Sequence, residues 1–313
     1  MLKPIAFPVA LSVFAAACLW APADAGAQRL SFIRDAEIEN TIRTYAAPLF
    51  QAAGLEPSDV RIYLVDDRSL NAFVAGGQRL FINTGLIMRS THAGQVIGVI
   101  AHETGHIAGG HLSRLQAAIA NSTAQSILAL VIGAAAVIGT GRGDVGAAIV
   151  AGGQSMGLRS FLQYNRTQES AADQAALRYL DATGQSSRGL LEFMEVLDGQ
   201  ELLSADRQDP YLRTHPLSRE RIDAVQAHLS RSPNRDKAQP ARIQELHRRM
   251  LAKLYAFLEP FPRTLRRYPE SDTGVDARYA RAVAYYRKPD LGKALPLVDG
   301  LIAERPEDPY FHE

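Results

Sequence analysis

The sequence predicts an α+β protein, mainly helical, with a small antiparallel β-hairpin or sheet near its start and a helical, repeat-like segment at its end. Three observations predict it. Apolar residues recur at three- and four-residue steps through most of the chain. One short stretch alternates with period two around a glycine pair. Beyond residue 276, small, aromatic and proline residues fall at the spacing of a 34-residue helical repeat. The 313 residues, 47% hydrophobic and 21% charged, are enough for two domains with cores of their own. A formal net charge of +1 offers no field for a polyanion, so nucleic acid is not an expected partner.

Residues 1–27 have a lysine at position 3, an apolar run from Ile5 to Trp20, and an A-x-A ending at Ala27. That is the pattern of a secretory signal peptide, and the run is shorter than the ~20 residues of a spanning helix. Export with removal after Ala27 is expected. Cys18 and Trp20, each the sole residue of its type, would leave with it. The mature chain then has neither disulfides nor thiolate metal ligands.

From Asp35 to Ala53, Ile38, Ile42, Tyr45, Leu49 and Phe50 mark an amphipathic helix closed by Gly54. Val60, Ile62 and Leu64 alternate as a strand, and NAFVAGGQRLFINTG reads as two strands joined near Gly76-Gly77. A helix is expected from about Ala93 through His111. The apolar runs Ile127–Gly139 and Val145–Gly153 are too short to span a bilayer. Core packing, a mobile flap and peripheral membrane contact through residues 127–153 all fit them. The polar break SRSPNRDKAQP, residues 230–240, divides a domain at 28–229 from a helical region at 230–313. There Ala282, Tyr285, Ala294 and Pro306 match the tetratricopeptide (TPR) pattern, while Arg278 and Leu301 depart from it. One such unit cannot bury its own faces, so it is expected to continue in a longer chain or to pack on the first domain.

The strongest chemical signal is AHETGHIAGGH, residues 101–111. His102 and His106, four apart on a helix, can aim imidazoles at one ion, while Glu103 can approach a water beside it. HExxH alone arises by chance in roughly one chain in a hundred of this size. Its apolar setting adds weight, because burying two histidines and a carboxylate is costly unless they are bound to something. His111 lies one residue short of the HExxHxxGxxH position, where Leu112 stands, and is read as supporting rather than ligating. Further on, Glu169 and Asp173 share a helix face. A carboxylate from a second helix would complete a three-ligand zinc site, although spacing alone describes solvated carboxylates as well.

HETGH followed by ESAAD resembles the HExxH and ExxAD pair of the HtpX- and BepA-like zinc metallopeptidases. The hairpin NAFVAGGQRLFINTGL and the segment THPLSRERI resemble two further motifs of that family, in its order, across most of residues 71–222. The signal peptide and repeat-like tail make the periplasmic BepA-like branch the nearest in pattern. The resemblance implies a gluzincin-type metallopeptidase domain with one Zn2+ per chain, held by His102, His106 and Glu169, with Glu103 as general base. It places Asp173 as a second catalytic acid or as a residue orienting a ligand. His215 would occupy the open zinc position and hold the enzyme latent, and Arg221 would brace structure or substrate. Substrate would add as a strand to the hairpin edge at Ala72, Phe73, Val74 and Ala75. The implied function is a periplasmic zinc endopeptidase acting on unfolded or stalled exported polypeptides, outer-membrane β-barrel proteins in particular. Its tail would dock on the outer-membrane assembly machinery. The competing expectation is a chaperone or assembly module in which proteolysis is secondary.

Overall fold

Asp35 opens the first helix: its carboxylate accepts the Ile38 N–H at 3.0 Å and caps α1 (Ala36–Ala52). Ile38, Ile42, Tyr45 and Leu49 form one buried face, and Gly54, at φ 72°, turns the chain away. A computed structural model describes residues 31–114, 117, 123–124, 163, 165–200 and 209–313. Residues 32–313 belong to one compact unit. The expected signal peptide and the apolar runs at 127–153 lie outside the described residues.

Four strands make one sheet: β1 (Phe32–Ile33), β2 (Arg61–Val65), β3 (Ala72–Ala75) and β4 (Arg79–Asn83), in the order β1-β2-β4-β3. The expected hairpin forms, with β3 and β4 antiparallel and Gly76 and Gly77 turning at φ 55° and 90°. The sheet itself is not antiparallel throughout, because β4 pairs with β2 in parallel. Alternation tells which face a strand buries, and neither its neighbour nor their relative direction. This order leaves β3 at an edge, with no second strand partner among the described residues.

The helices that follow are α2 (Thr84–Arg89), α3 (Ala93–Ala108), α4 (165–182), α5 (Arg188–Asp198), α6 (Pro210–Thr214) and α7 (Arg219–Arg231). The central one is α3, buried from Ala93 through His106. It stops short of the expected His111: Gly110 sits at φ 61°, and the chain is helical again from 111 to 114. Two glycines let other backbones come close. A Cβ at Gly98 would lie 2.7 Å from the Leu190 nitrogen of α5, and one at Gly105 would lie 2.7 Å from the Ala172 carbonyl oxygen of α4. Both helices therefore seat directly on α3. Among the described residues no helix is long and apolar enough to cross a membrane.

Beyond residue 240 the described elements are helical: α8 (Ala241–Leu258), α9 (Phe261–Arg267), α10 (Val275–Arg287), α11 (Leu291–Glu304) and a 3-10 turn at Pro309–Phe311. Helix α8 has two apolar faces. Met250, Leu251 and Leu254 join the main core, while Ala252 and Ala256 meet Tyr279, Ala280 and Leu301 in a second cluster. A buried ionic knot ties these layers to α1. Glu37 lies 2.7 Å from Arg249, 3.2 Å from Lys253, and accepts the Tyr279 hydroxyl at 2.8 Å. Arg249 also pairs with Asp308 and lies over the Phe311 ring.

His247, on the same helix, is buried, with Nε2 3.2 Å from the Ser90 hydroxyl, which itself donates to the Ile87 carbonyl. The hydroxyl can then only accept, so the imidazole proton is on Nε2, and Nδ1 has no partner among the described residues. Burial, helped by the nearby His92, lowers the His247 pKa to about 4. The unfolded chain takes up that proton near pH ~6.5 and the folded chain does not, so this contribution is complete above ~6.5 and is lost as pH falls towards 4. Wild type is expected to lose about 2 kcal/mol between pH 7.5 and 5.0 that His247→Gln keeps. Urea midpoints of both proteins at the two pH values measure it, and equal losses in both would refute it.

Candidate metal centre

The described His/Glu cluster able to hold an ion consists of His102, His106, Glu169 and His215, all buried. Each offers one donor atom, and these atoms lie within 4.8 Å of one another. His102 and His106 come from consecutive turns of α3, with their Nε2 atoms 3.0 Å apart. Glu169 comes from α4, brought in by the Gly105–Ala172 contact, and its oxygens lie 3.4 Å from both Nε2 atoms. His215 caps α6, and its Nδ1 is 3.2 Å from Glu169 and 3.4 Å from His102 Nε2.

A second layer of contacts fixes how these rings face. Asp173, one turn beyond Glu169 on α4, lies 2.8 Å from His102 Nδ1. The carboxylate accepts, so the His102 proton is on Nδ1 and the Nε2 lone pair points inward. Arg221, in the first turn of α7, donates to both Asp173 oxygens, at 2.6 and 2.9 Å. It donates also to the Pro216 carbonyl at 2.7 Å and lies 3.1 Å from Glu169. Both Asp173 oxygens are thus engaged behind His102. On the far side, His111 Nδ1 lies 3.0 Å from His106 Nδ1. A Cβ at Gly109 would come 2.3 Å from the His111 ring, so that glycine makes room for it. The edge residues Ala72, Phe73, Val74 and Ala75 lie on β3, which packs against α3.

Electrostatics separate the groups. Burial works against a charge on His102, but Asp173 and Glu169 outweigh it and raise its pKa. Burial, helped by the neighbouring His102 and His215, pushes His106 well below the usual imidazole range. Burial opposes ionisation of Glu169, yet His215 and His102 hold it well below the ordinary carboxylate range. Asp173, similarly opposed by burial, is held low by His102 and Arg221. Glu103 runs the other way, raised chiefly by burial. Its side chain is wholly buried, and neither oxygen has a hydrogen-bond partner among the described residues. His215 Nε2, 3.5 Å from it, is likewise unpartnered there.

This arrangement fits a divalent metal. Two imidazole nitrogens and a carboxylate converge within 3.4 Å of one another, and Asp173, engaging His102 Nδ1 from behind, leaves the His102 Nε2 lone pair directed at the cluster. Sequence reading missed the support of the His215 segment. Asp209 stands just before α6, accepts the Leu70 N–H at 2.8 Å and pairs with Arg89 at 3.1 Å, and Tyr211 stacks on His215 with ring centroids 4.4 Å apart. The signal was present in DPYLRTHP, an Asp-Pro helix start with an aromatic residue one turn before the histidine.

An HExxH helix faced by a carboxylate from a second helix is the site of a zinc metalloprotease. The chain belongs to peptidase family M48, whose profile matches residues 33–229. It is 23% identical over 285 residues to the beta-barrel assembly-enhancing protease of Yersinia pestis, an alignment covering 89% of this chain and 57% of the relative. The Escherichia coli (strain K12) protein of that name is 26% identical over 193 residues, 61% of this chain and 38% of the relative. Metalloprotease LoiP of the same strain is 26% identical over 198 residues, 63% of this chain and 72% of the relative. The chain thus spans 57% and 38% of the length of those two assembly-enhancing relatives.

Proposed function

We propose that the protein is a periplasmic zinc endopeptidase that removes unfolded or stalled exported polypeptides. The names of its relatives suggest β-barrel proteins as clients, and we take these to be proteins of the outer membrane. The convergence of His102 Nε2, His106 Nε2 and Glu169 carries the reading: these three would hold one Zn2+ per chain. Bound zinc supplies Lewis acidity to the scissile carbonyl and to water. Glu103, raised by burial and free of hydrogen-bond partners among the described residues, takes the proton from the attacking water and delivers it to the leaving amine. The peptide bond and one water become a carboxylic acid and an amine. Asp173 orients His102, and Arg221 holds Asp173 and the loop after His215. Substrate lies along the edge strand at Ala72, Phe73, Val74 and Ala75.

His215 is the restraint. Its Nδ1 stands among the donor atoms, where an imidazole competes with water. Residues 28–229 are the catalytic part after signal-peptide removal, and 230–313, with its TPR-like helices, the region through which the assembly machinery is met. The test follows cleavage of an unfolded polypeptide by zinc-loaded wild type, His215→Ala and Glu103→Gln. His215→Ala is expected to cut at least about tenfold faster than wild type, and Glu103→Gln to be silent. Zinc binding with cleavage by none of the three would end the protease reading in favour of a chaperone role.

A further inference from the structure

The outer face of the sheet, turned away from the core, has a row of aromatic rings that ends at the free edge. Phe81 on β4 sits opposite Tyr63 on β2 and opposite Phe73 on β3. These rings stack: Tyr63 and Phe81 are 4.9 Å apart at 14°, and Phe81 and Phe73 are 4.8 Å apart at 6°. Each step is one strand spacing, the ~4.8 Å between paired strands. Phe32 on β1 starts the row, 5.7 Å from Tyr63, and is 46% exposed. Cross-strand aromatic pairs stabilise a sheet by themselves, which explains the inner members. The last member differs. Phe73 is partly exposed and lies on the edge strand, and no further ring faces it among the described residues. Its neighbours on β3 point the other way, Ala72 buried and Val74 packed on the core.

We infer that Phe73 is a specificity-determining residue: a polypeptide added to β3 is selected for an aromatic side chain at the position opposite Phe73. The inference rests on the proposed edge-strand binding and adds the chemical class of substrate. A strand hydrogen-bonded to β3 places one of its side chains a strand spacing from Phe73, on the same face. An aromatic ring there extends the stack, gaining what ring pairs gain over simple burial. The next residues on either side point towards the α3 face of the sheet. The favoured segment is therefore extended and alternating, with an aromatic residue on one face. Strands of membrane β-barrels, alternating and bordered by aromatic girdles, belong to this class.

The experiment uses a set of alternating peptides that differ only in tyrosine or threonine at one scanned position. Cleavage is measured with zinc-loaded His215→Ala, and binding with His215→Ala/Glu103→Gln. At one register the tyrosine peptide is expected to be favoured about three- to tenfold in kcat/KM and in affinity. In Phe73→Val that ratio falls to about one, and in Phe73→Tyr it persists. Phe73→Leu serves where the valine variant does not fold. Equal handling of the two peptides at every register, or a preference that survives loss of the ring, overturns the inference while leaving proteolysis intact. A binding preference without any cleavage supports the subsite and removes the protease reading. Neither binding nor cleavage removes both.

Discussion

Glu103→Gln is expected to lower kcat/KM by about 100- to 10,000-fold while zinc content stays within about twofold of wild type. The amide keeps the shape of the side chain but has no lone pair basic enough to take a proton. Its own position explains the size of the effect. The carboxyl is fully buried beside the donor cluster, and burial raises its pKa above the ordinary carboxylate value. Both oxygens are unpartnered among the described residues, so substitution breaks no structural hydrogen bond there. Zinc retention by metal analysis, with near-complete loss of cleavage, separates a base from a ligand. A variant that loses its zinc would make Glu103 part of the metal cage, and one that stays active would remove it from the chemistry.

Glu37→Leu is expected to destabilise the protein by about 3 kcal/mol, a fall in Tm of roughly 5 °C for a chain of this size. Glu37 is 1% exposed and faces two cations, Arg249 and Lys253, as well as the Tyr279 hydroxyl. Removing it leaves those cations, among the described residues, with Asp308 and Asp35 as their acidic partners at the edge of the knot. A buried cation stripped of one of its two acidic partners costs more than the pair gains over apolar packing. The knot joins the first turn of α1 to α8, α10 and the terminal 3-10 turn. Hydrogen exchange should therefore rise first in α10 and α11. A loss below 1 kcal/mol would mean that the remaining acids compensate, and that apolar packing alone seats the helices on α1.

Some of this was legible in the sequence because its cause is local. The start of the first helix at Asp35, the Ile38–Leu49 stripe and the Gly76-Gly77 turn are set by contacts within a few residues. The expected helix from about Ala93 through His111 ends early, at Ala108, because Gly109 and the left-handed Gly110 follow it. The parallel pairing within the sheet was not legible, for a related reason. The hairpin is a local product, whereas the parallel register of β4 on β2 follows from a connection that alternation does not encode.

For the candidate site, the sequence by itself determined the helix that presents His102, Glu103 and His106, since residues four apart on a helix must share a face. It also determined that Glu169 and Asp173 share a face of another. Only tertiary structure decided that the two faces meet, through the close approach of Gly105 to Ala172. It alone decided which way each imidazole turns, because Asp173 and His111 reach the Nδ1 atoms of His102 and His106 from outside the HExxH motif. The aromatic row on the sheet is likewise invisible along the chain. Tyr63, Phe73 and Phe81 become neighbours when strands distant in sequence pair in one register, and only then does the edge acquire a chemical preference.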